Sequence, residues 1–390
     1  MDFQFSQEQE NFRQEVRDFL EEEIRQGSFK PSLEAWLHGY SPEFTKKLAR
    51  RGWIGLTWPK EYGGQERSNI DRFILMEEIL LYGAPIGCHW STERQVGGAV
   101  LTSGTDEQKQ ELLPKIAKGE VYGCIGMSEP EAGSDLASLK TMAIEDGDEY
   151  IINGQKVWTG GAHVSNYMYL VARTDPEVPK QKGISEFVFE INSPGITIRP
   201  IIHMTGGHYF DEVFFDNVRI PKKCLIGEKN RGFYQLMRQY DVERTGLERL
   251  MGNYLIFDDI IQFTKNTQRN GKPLSQDTLI RHKLAKLQIE FEIGRLLTYR
   301  VAHVMDEGRS SNVEVGIAKA YCTDFEKRLA NEAVNILGLY GQLMPDSKYA
   351  PLSDDTILSY LASFGYTIQG GTSEILRNIV ALRGLELPSS

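Results

Sequence analysis

A turn rich in small residues is the first feature of this chain that could do chemistry. It runs from Met127 to Lys140 and places Gly133 and Ser134 side by side, after Pro130. Glycine lets the backbone approach a ligand closely, and consecutive amides with a serine hydroxyl can surround phosphate oxygens. The turn therefore predicts a site for a diphosphate.

The segment from Glu149 to Thr159 follows this turn and alternates like a β-strand. Its Asn153-Gly154 pair predicts a tight two-residue hairpin turn between strands. Trp158 comes shortly after the pair. Together the two segments predict a phosphate-binding loop that faces an aromatic strand.

The composition limits the classes of protein to which this chain can belong. With 390 residues and 41% hydrophobic content, it is long enough for two or three packed units. No apolar run approaches the ~20 residues of a membrane helix, and the N-terminus has neither a secretion nor a transit pattern. We therefore expect a cytoplasmic protein without a membrane span. The net charge of -10 argues against a general nucleic-acid binder, because phosphates would be repelled.

Helical periodicity dominates the N-terminal third. Ser6 and Gln9 form a capping-box pattern, and apolar residues then follow on one helical face. Further helices are predicted for residues 41–51, 69–81 and 106–117. The pattern indicates an N-terminal helical domain over residues 1–122.

Period-two alternation begins near Gly123 and predicts an antiparallel β domain over residues 123–230. The clearest strands are predicted at residues 167–173, 186–191, 196–202 and 212–215. Long helical segments return at residues 240–264, 279–307 and 315–337, and each is long enough to cross a bundle. The fold class is therefore α+β, with a C-terminal helical bundle domain over residues 231–390.

Three ordered segments resemble the acyl-CoA dehydrogenase flavoprotein family. They are the 127–159 region, the stretch from Gly370 to Asn378 that reads Gly-Gly-Thr-Ser-Glu-Ile-Leu-Arg-Asn, and the opening Met1-Asp2-Phe3 before an amphipathic helix. The resemblance covers essentially the whole chain. It implies that the C-terminal bundle is a four-helix bundle. It also implies FAD as cofactor, an acyl-CoA substrate, an electron-transfer flavoprotein as electron acceptor and a homotetramer.

The reaction of that family requires three contributions. A base removes the α proton, an acceptor takes the β hydride, and hydrogen bonds stabilise the enolate-like thioester oxygen. Protein side chains do not accept hydride, whereas a flavin does. The resemblance assigns cofactor contacts to Met127, Ser128, Gly133, Ser134, Trp158, Thr159, Thr372 and Glu374. For Trp158 the alternative is an ordinary core aromatic.

This chain departs from the family pattern near the cofactor. Gly160 stands where many relatives carry a serine or threonine that reaches the flavin, so Thr159 or backbone amides are expected to substitute. The usual segment that meets a neighbour's pyrophosphate is represented by residues around Arg269 and Lys272, without a secure alignment. The Gly-rich turn near the adenine is represented by residues 335–341, without its second glycine.

The catalytic base is predicted at Glu243. One of the family's two positions for this glutamate is Gly370 here, which has no side chain to take a proton. The other position corresponds to Glu243, whose pKa an apolar site would raise toward neutrality. A surface ion pair is the alternative for Glu243. Glu93 is a third possibility, and for it a buried ion pair with Arg94 is the alternative.

Substrate contacts are assigned by the resemblance to Ser134, Asp241, Arg244 and Gly370. Asp241 and Arg244 would contact the CoA portion or hold the base, and a helix ion pair is the alternative. Glycine at position 370 frees volume, so we expect a bulky, branched or cyclic acyl group. An alicyclic acyl-CoA with Glu93 as base, an oxidase and a non-catalytic relative remain alternatives.

Metal binding has little support in the sequence. The seven histidines form no His-x-x-x-His pattern, and the four cysteines are scattered with no metal-like spacing. The His203–His208 region is predicted to be a β-domain loop lining the cofactor site. The cysteines are predicted to be free thiols in a reducing compartment.

Overall fold

The computed structural model describes residues 4–243, 246–350, 352 and 356–388. The chain divides into two units, each built from segments that are distant in sequence. The helical unit contains Met1–Trp36, Ser68–Ala84 and Arg244–Ser390, and the sheet unit contains Leu37–Arg67 and Pro85–Glu243. The three-domain division at residues 122/123 and 230/231 remains a prediction.

The helices and strands alternate in blocks along the chain. In chain order the helices are α1 (Gln7–Arg25), α2 (Ala35–His38), α3 (Pro42–Arg50), α4 (Asn69–Leu81), α5 (Gly98–Ser103), α6 (Asp106–Ala117), α7 (Gly232–Glu243), α8 (Leu247–Met251), α9 (Tyr254–Asn266), α10 (Thr278–Asp306), α11 (Asn312–Leu337), α12 (Thr356–Tyr366) and α13 (Ser373–Ile379). The strands are β1 (Gly123–Gly126), β2 (Met142–Asp146), β3 (Glu149–Gly160), β4 (Tyr167–Arg173), β5 (Ile184–Glu190), β6 (Ile196–Ile202), β7 (His208–Pro221), β8 (Leu225–Ile226), β9 (Gln268–Arg269) and β10 (Lys272–Pro273). The predicted order of N-terminal helices, β domain and C-terminal helices is confirmed.

Local signals set the bounds of the N-terminal helices. The Ser6 hydroxyl accepts a hydrogen bond from the backbone N–H of Gln9, whose side chain bonds the Ser6 N–H in return. This is the predicted capping box, and it satisfies two N–H groups that the first turn leaves without helical partners. The same α1 buries Arg13 in an ion pair with Glu77 and Glu78 of α4. Helices α4 and α6 have the predicted bounds.

The continuous helix predicted for residues 240–264 is wrong. Helix α7 ends at Glu243, α8 begins at Leu247, and α9 begins at Tyr254. Gly246 has φ +79°, which breaks the right-handed helix, and a Cβ there would lie 2.9 Å from the Cα of Lys319. The close approach of α11 therefore decides a break that the apolar periodicity did not reveal.

The sheet unit contains one eight-stranded sheet. Its strand order is β6-β7-β3-β2-β4-β5-β8, and β1 pairs with β4. Most neighbours are antiparallel, as predicted, but β1 and β2 pair with β4 in parallel. Strands β4 and β6 have the predicted bounds, while β5 begins two residues before the predicted strand and β7 extends beyond it at both ends. The buried core of this unit is formed by apolar side chains of β3, β4, β5 and β7, including Phe187 and Val213.

The hairpin turn predicted at Asn153-Gly154 is also wrong, because β3 runs through this pair without turning. The two residues form an irregularity opposite Asn217 of β7, where the register shifts between Ile152 and Gly154. The Asn153 amide oxygen accepts the backbone N–H of Asn217 at 2.9 Å. Gly154 is required there, because a Cβ would lie 2.5–2.8 Å from Thr141.

The β2–β3 hairpin turns instead at Gly147 and Asp148, between paired Asp146 and Glu149. Gly147 has φ +61°, as tight hairpin turns require. Within the described residues, no helix is long and apolar enough to cross a membrane.

Candidate active site

A buried ion pair fastens the small-residue turn to β3. The Nζ atom of Lys156 donates to Oε1 of Glu129 at 2.8 Å and to the carbonyl of Met127 at 3.0 Å. Glu129 also accepts the backbone N–H groups of Lys140 at 2.6 Å and Thr141 at 2.9 Å. One carboxylate therefore closes both ends of the turn, a role that the sequence analysis missed.

The electrostatics of the pair follow from its burial. Burial of Glu129 opposes its ionisation, but the Lys156 ammonium and the hydrogen bonds outweigh this effect, and the pKa of Glu129 is lowered from its ordinary value. Burial also lowers the pKa of Lys156 to about 8, although Glu129 acts in the opposite direction. Both groups are thus ionised near neutral pH, and each depends on the other.

The predicted phosphate-binding residues lie at the open end of this turn. Gly133 and Ser134 are both exposed, and a Cβ at Gly133 would have nothing within 4 Å. Met127 and Ser128 are partly buried where the turn meets β3, and the Ser128 carbonyl accepts the Val157 N–H at 2.9 Å. The turn therefore presents free backbone and a hydroxyl on a fixed base, which suits an anionic ligand.

Trp158 lies on a β-bulge and is not a core aromatic. The β3–β7 register shifts between Lys156 and Thr159, and Trp158 there has φ +59°. A bulge re-aims the side chain, and a tryptophan with positive φ is uncommon enough to be a feature that folding must stabilise. The ring is 57% exposed and contacts Phe210 edge-on, with centroids 5.8 Å apart. A flat ligand could therefore pack against the ring.

Gly160 is the position at which this chain lacks the serine or threonine of many relatives, and Thr159 precedes it. The Thr159 hydroxyl is buried and has no hydrogen-bond partner among the described residues. At Gly160, a Cβ would lie 2.6 Å from the hydroxyl oxygen of Tyr209. A serine or threonine at position 160 would thus require the Tyr209 ring to move, because that ring occupies the space.

We expect Gly160→Ser to destabilise the protein by about 1–3 kcal/mol, because the new side chain overpacks against Tyr209. In a Tyr209→Ala background, which removes the ring, Gly160→Ser should cost much less than in the original protein. Urea unfolding measures both changes. Gly365→Ser is the matched control, because a Cβ at Gly365 meets nothing within 4 Å. An equal cost of Gly160→Ser in the original protein and in Tyr209→Ala would contradict the steric explanation.

Helix α7 carries the predicted base and is anchored to the sheet unit. Gln235 donates to Oε2 of Glu186 at 3.1 Å, and Gln239 donates to the carbonyl of Gln95. Glu243 and Asp241 belong to this helix by their backbone. Their side chains lie outside the described residues, as does all of Arg244. Their predicted roles remain predictions.

Glu93, the alternative base, is buried on a π-helical segment from Thr92 to Gly97. Glu93 and Arg94 both have interaction partners in the structure. The guanidinium of Arg94 lies 4.2 Å from the ring centroid of Trp90. Short π-helical segments occur often at functional sites, which favours keeping Glu93 as the alternative.

The C-terminal signature forms a turn followed by α13. Gly370 and Gly371 have φ +66° and +91°, and the Thr372 hydroxyl caps α13 by accepting the N–H of Ile375 at 3.2 Å. Glu374 is exposed in the first helical turn. These residues belong to the helical unit, whereas the 127–159 residues belong to the sheet unit.

The two remaining departures are exposed or tightly packed turns. Arg269 and Lys272 are exposed on the β9–β10 hairpin. Gly338 ends α11 with φ +64°, and a Cβ at Gly341 would lie 2.5 Å from the carbonyl oxygen of Val334. The role of Arg269 and Lys272 at a neighbour's pyrophosphate and the role of residues 335–341 near the adenine therefore stay predictions.

One cluster that the sequence did not reveal joins two histidines to an aspartate. The rings of His163 and His208 stack with centroids 3.9 Å apart, and each lies within hydrogen-bond distance of the buried Asp211, at 2.8 and 2.7 Å. Their ligand atoms lie within 4.8 Å of one another, so the three could hold a metal. The hydrogen bonds to Asp211 account for the cluster without one.

Comparisons with known proteins cover nearly the whole chain. Family models match the acyl-CoA dehydrogenase N-terminal domain at residues 6–120, the middle domain at 124–218 and the C-terminal domain at 230–385. Acyl-CoA dehydrogenase FadE29 of Mycobacterium tuberculosis is 32% identical and aligns over 98% of this chain and 97% of its own. Caffeyl-CoA reductase-Etf complex subunit CarC of Acetobacterium woodii is 27% identical over 97% of this chain and 98% of its own.

A solved structure described as the Tcur3481-Tcur3483 steroid ACAD superimposes with a TM-score of 0.89, at 31% identity and with 100% of both chains covered. Sequence and fold therefore agree over the full length. The chain belongs to the acyl-CoA dehydrogenase family of flavoprotein oxidoreductases.

Proposed function

We propose that this protein is an FAD-dependent acyl-CoA dehydrogenase that introduces a double bond next to the thioester of a bulky acyl-CoA. The observation that carries the proposal is the exposed Trp158 on its bulge, close along β3 to the turn that Glu129 and Lys156 fasten. Single exposed apolar side chains are common, but Trp158 is held exposed by a backbone conformation that costs free energy, and such strain is concentrated at ligand-binding and active sites. A flavin beside a phosphate-binding turn would be such a ligand.

The described residues fit FAD. The exposed Gly133–Ser134 backbone suits a phosphate, Met127 and Ser128 lie at the base of the same turn, and the buried hydroxyl of Thr159 lacks a partner among the described residues. Thr372 and Glu374 of the helical unit are proposed as further contacts. When bound, FAD would supply the hydride acceptor that side chains lack.

Glu243 is proposed as the base that takes the α proton. Gly370 provides no carboxylate, so an active member needs another, and α7 carries this one by its backbone. Asp241 and Arg244 are proposed to hold the base or contact the CoA portion, together with Ser134. An apolar surrounding that excludes water would raise the pKa of Glu243 and make it an effective base.

The bulky acyl group is inferred from position 370. Apart from the adjoining residues, a Cβ at Gly370 would have one atom of the described chain within 4 Å, Nη2 of Arg249, so the position is open immediately beyond the backbone. Faster turnover of butyryl-CoA than of any branched or cyclic thioester would contradict the proposed preference for a bulky acyl group. The alicyclic alternative, with Glu93 as base, rests on the burial of that carboxyl in a π-helical segment.

Electron-transfer flavoprotein is the proposed electron acceptor, and a homotetramer is the proposed assembly. The name of the Acetobacterium relative places that protein in a complex with Etf, which supports the proposed electron acceptor. The cytoplasmic location also stays a prediction.

The test is purification followed by anaerobic titration with a panel of acyl-CoA thioesters. We expect a yellow protein whose visible flavin absorbance is bleached by bulky acyl-CoA. A colourless protein that binds no added FAD would favour a non-catalytic relative. Peroxide formation that matches the dye-coupled rate would favour an oxidase.

A further inference from the structure

A buried carboxyl group lies under helix α7 in the sheet unit. Glu186 belongs to β5, where six of the seven residues are buried, and it is itself 1% exposed. Among the described residues, the groups that act on its carboxyl are the hydroxyl of Tyr169 and the side-chain amide of Gln235, and neither is charged. Because an unpaired carboxylate is costly to bury, the surroundings of Glu186 favour the neutral acid.

The first turns of α7 pack against this carboxyl group. Gln235 donates to Oε2 of Glu186 at 3.1 Å and to the carbonyl of Ile226 in β8 at 3.2 Å. If Gly232 carried a Cβ, that atom would lie 3.1 Å from Cγ of Glu186, so the helix begins close against the side chain. The second carboxyl oxygen, Oε1, has no hydrogen-bond partner among the described residues. Glu186 therefore lies in the interface between α7 and the sheet.

A tyrosine links this carboxyl group to the next turn of α7. The hydroxyl of Tyr169, on the neighbouring strand β4, faces the Glu186 carboxyl and donates to Oε1 of Gln239 at 3.4 Å. The amide of Gln239 in turn donates to the carbonyl of Gln95. Gln239 precedes Glu243 by four residues, which is about one helical turn. The polar contacts under α7 thus extend to one turn before the proposed base.

The protonation state of Glu186 decides whether these contacts are complete. A tyrosine hydroxyl has one proton, so Tyr169 donates either to Gln239 or to Glu186. The protonated acid leaves that proton to Gln239. The carboxylate competes for it, because a hydrogen bond to a charged acceptor is the stronger one, and it also places an uncompensated charge under the helix. Loss of the Glu186 proton therefore weakens the contacts of α7 at two turns.

The pKa of Glu186 agrees with this geometry. Burial raises it to about 7, although the hydrogen bonds from Tyr169 and Gln235 act in the opposite direction. If α7 lifts and water reaches the carboxyl, the pKa returns toward its ordinary value. The docked state then binds more protons than the lifted state between these two values. Docking of α7 is therefore strongest at low pH and weakens as the pH rises to about 7.

We infer that Glu186 is a positioning residue for the base: its protonated form holds α7 on β5, and its ionised form loosens the helix. The link to the base rests on the proposed function, which places the base at Glu243. The docking of α7 itself does not depend on that function. The inference adds a pH dependence that is separate from titration of the base.

The test compares Glu186→Gln with the original protein by amide hydrogen exchange at pH 5 and pH 8, on the full chain with its flavin. Glutamine has nearly the shape of the protonated acid but cannot ionise. At pH 5 the protection factors of residues 232–239 should agree within about threefold. At pH 8 the original should be less protected by roughly 10- to 100-fold, because each unit of pKa difference is worth a factor of ten. A difference of equal size at both pH values would overturn the inference.

Two further variants assign the effect to the buried carboxyl. Glu190→Gln is the matched control, because Glu190 is an exposed glutamate of the same strand, and it should behave like the original protein at both pH values. Gln235→Lys covers the case in which Glu186→Gln does not fold. It places an ammonium group beside the Glu186 carboxylate, so the loss of protection at pH 8 should shrink at least threefold. An unchanged loss would count against the inference.

The link to the base is tested by bleaching of the flavin at pH 8. At saturating acyl-CoA, Glu186→Gln should bleach roughly 3- to 10-fold faster than the original protein, while the half-saturating concentration stays within about threefold. Equal rates would overturn the link to the base. If no thioester bleaches the flavin but protection of α7 depends on Glu186 and pH, the proposed activity fails and the docking stands. Bleaching without that dependence overturns the docking alone.

Discussion

Replacing Glu243 with glutamine is expected to slow bleaching of the flavin by the best acyl-CoA by roughly 10²- to 10⁴-fold, because glutamine cannot take the α proton. Stopped-flow absorbance under anaerobic conditions measures this rate. Affinity for an alkyl-CoA thioether should stay within about threefold, since a base that acts in the transition state adds little to ground-state binding. A variant that bleaches at the normal rate would show that the base lies elsewhere.

Glu93→Gln is the matched comparison for that experiment. Glu93 is a buried carboxyl of the sheet unit, the unit to which α7 also belongs. If Glu243 is the base, Glu93→Gln should change the bleaching rate by less than about threefold. Loss of bleaching in Glu93→Gln alone, with an alicyclic thioester, would transfer the role to Glu93 and select the alicyclic alternative.

Lys156→Met is expected to cost about 3–5 kcal/mol of unfolding free energy, because it leaves the Glu129 carboxylate buried without its ammonium partner. The turn that Glu129 closes should loosen as well, so the variant should be purified with less bound flavin. Urea unfolding and the ratio of visible to ultraviolet absorbance measure the two effects. The double variant Lys156→Met with Glu129→Gln should regain part of the stability, since neither charge remains.

Lys140→Met provides the control on the same turn. Lys140 pairs with Glu131 at 2.5 Å, but both side chains are about three-quarters exposed, at 75% and 76%. Exposed pairs contribute only ~0–1 kcal/mol, so this variant should unfold almost like the original protein. If Lys140→Met and Lys156→Met lost equal amounts of unfolding free energy, burial would not be the reason why the Lys156–Glu129 pair stabilises the protein.

The same buried pair makes a defined contribution to acid stability. The pKa of Glu129 is lower in the folded protein than its ordinary value, so the folded state binds fewer protons than the unfolded state between the two values. The stability from this carboxylate is therefore present above the unfolded pKa and is lost as the pH falls through the lower folded pKa. In Glu129→Gln that part of the acid-induced loss, measured by urea unfolding at a series of pH values, should be absent.

Helix and strand positions followed from local patterns. The Ser6–Gln9 capping box and the bounds of α4, α6, β4 and β6 were all predicted from residue spacing. The capping box depends on contacts between residues close in sequence. The helix and strand bounds depend on one buried face, which leaves a periodic pattern of apolar residues. The family resemblance came from three short segments, whose spacing along the chain is likewise a property of the sequence.

Contacts between distant segments overrode local preference at two places. Asn153-Gly154 is a strong hairpin signal, yet Asn217 on β7 and Thr141 beside it hold the pair inside a strand. The break at Gly246 depends on the backbone of Lys319 in α11. In each case the deciding atom belongs to a residue outside the local segment, so no local pattern reports it.

The sequence by itself determined the family, the order of helices and strands, and the absence of a carboxylate at Gly370. Only the tertiary structure decided that Lys156 is buried against Glu129, that Tyr209 fills the space beside Gly160, and that Arg249 borders position 370. The physical reason is desolvation: a charge or a ring acquires its role from what folding removes from around it, and that depends on partners distant along the chain.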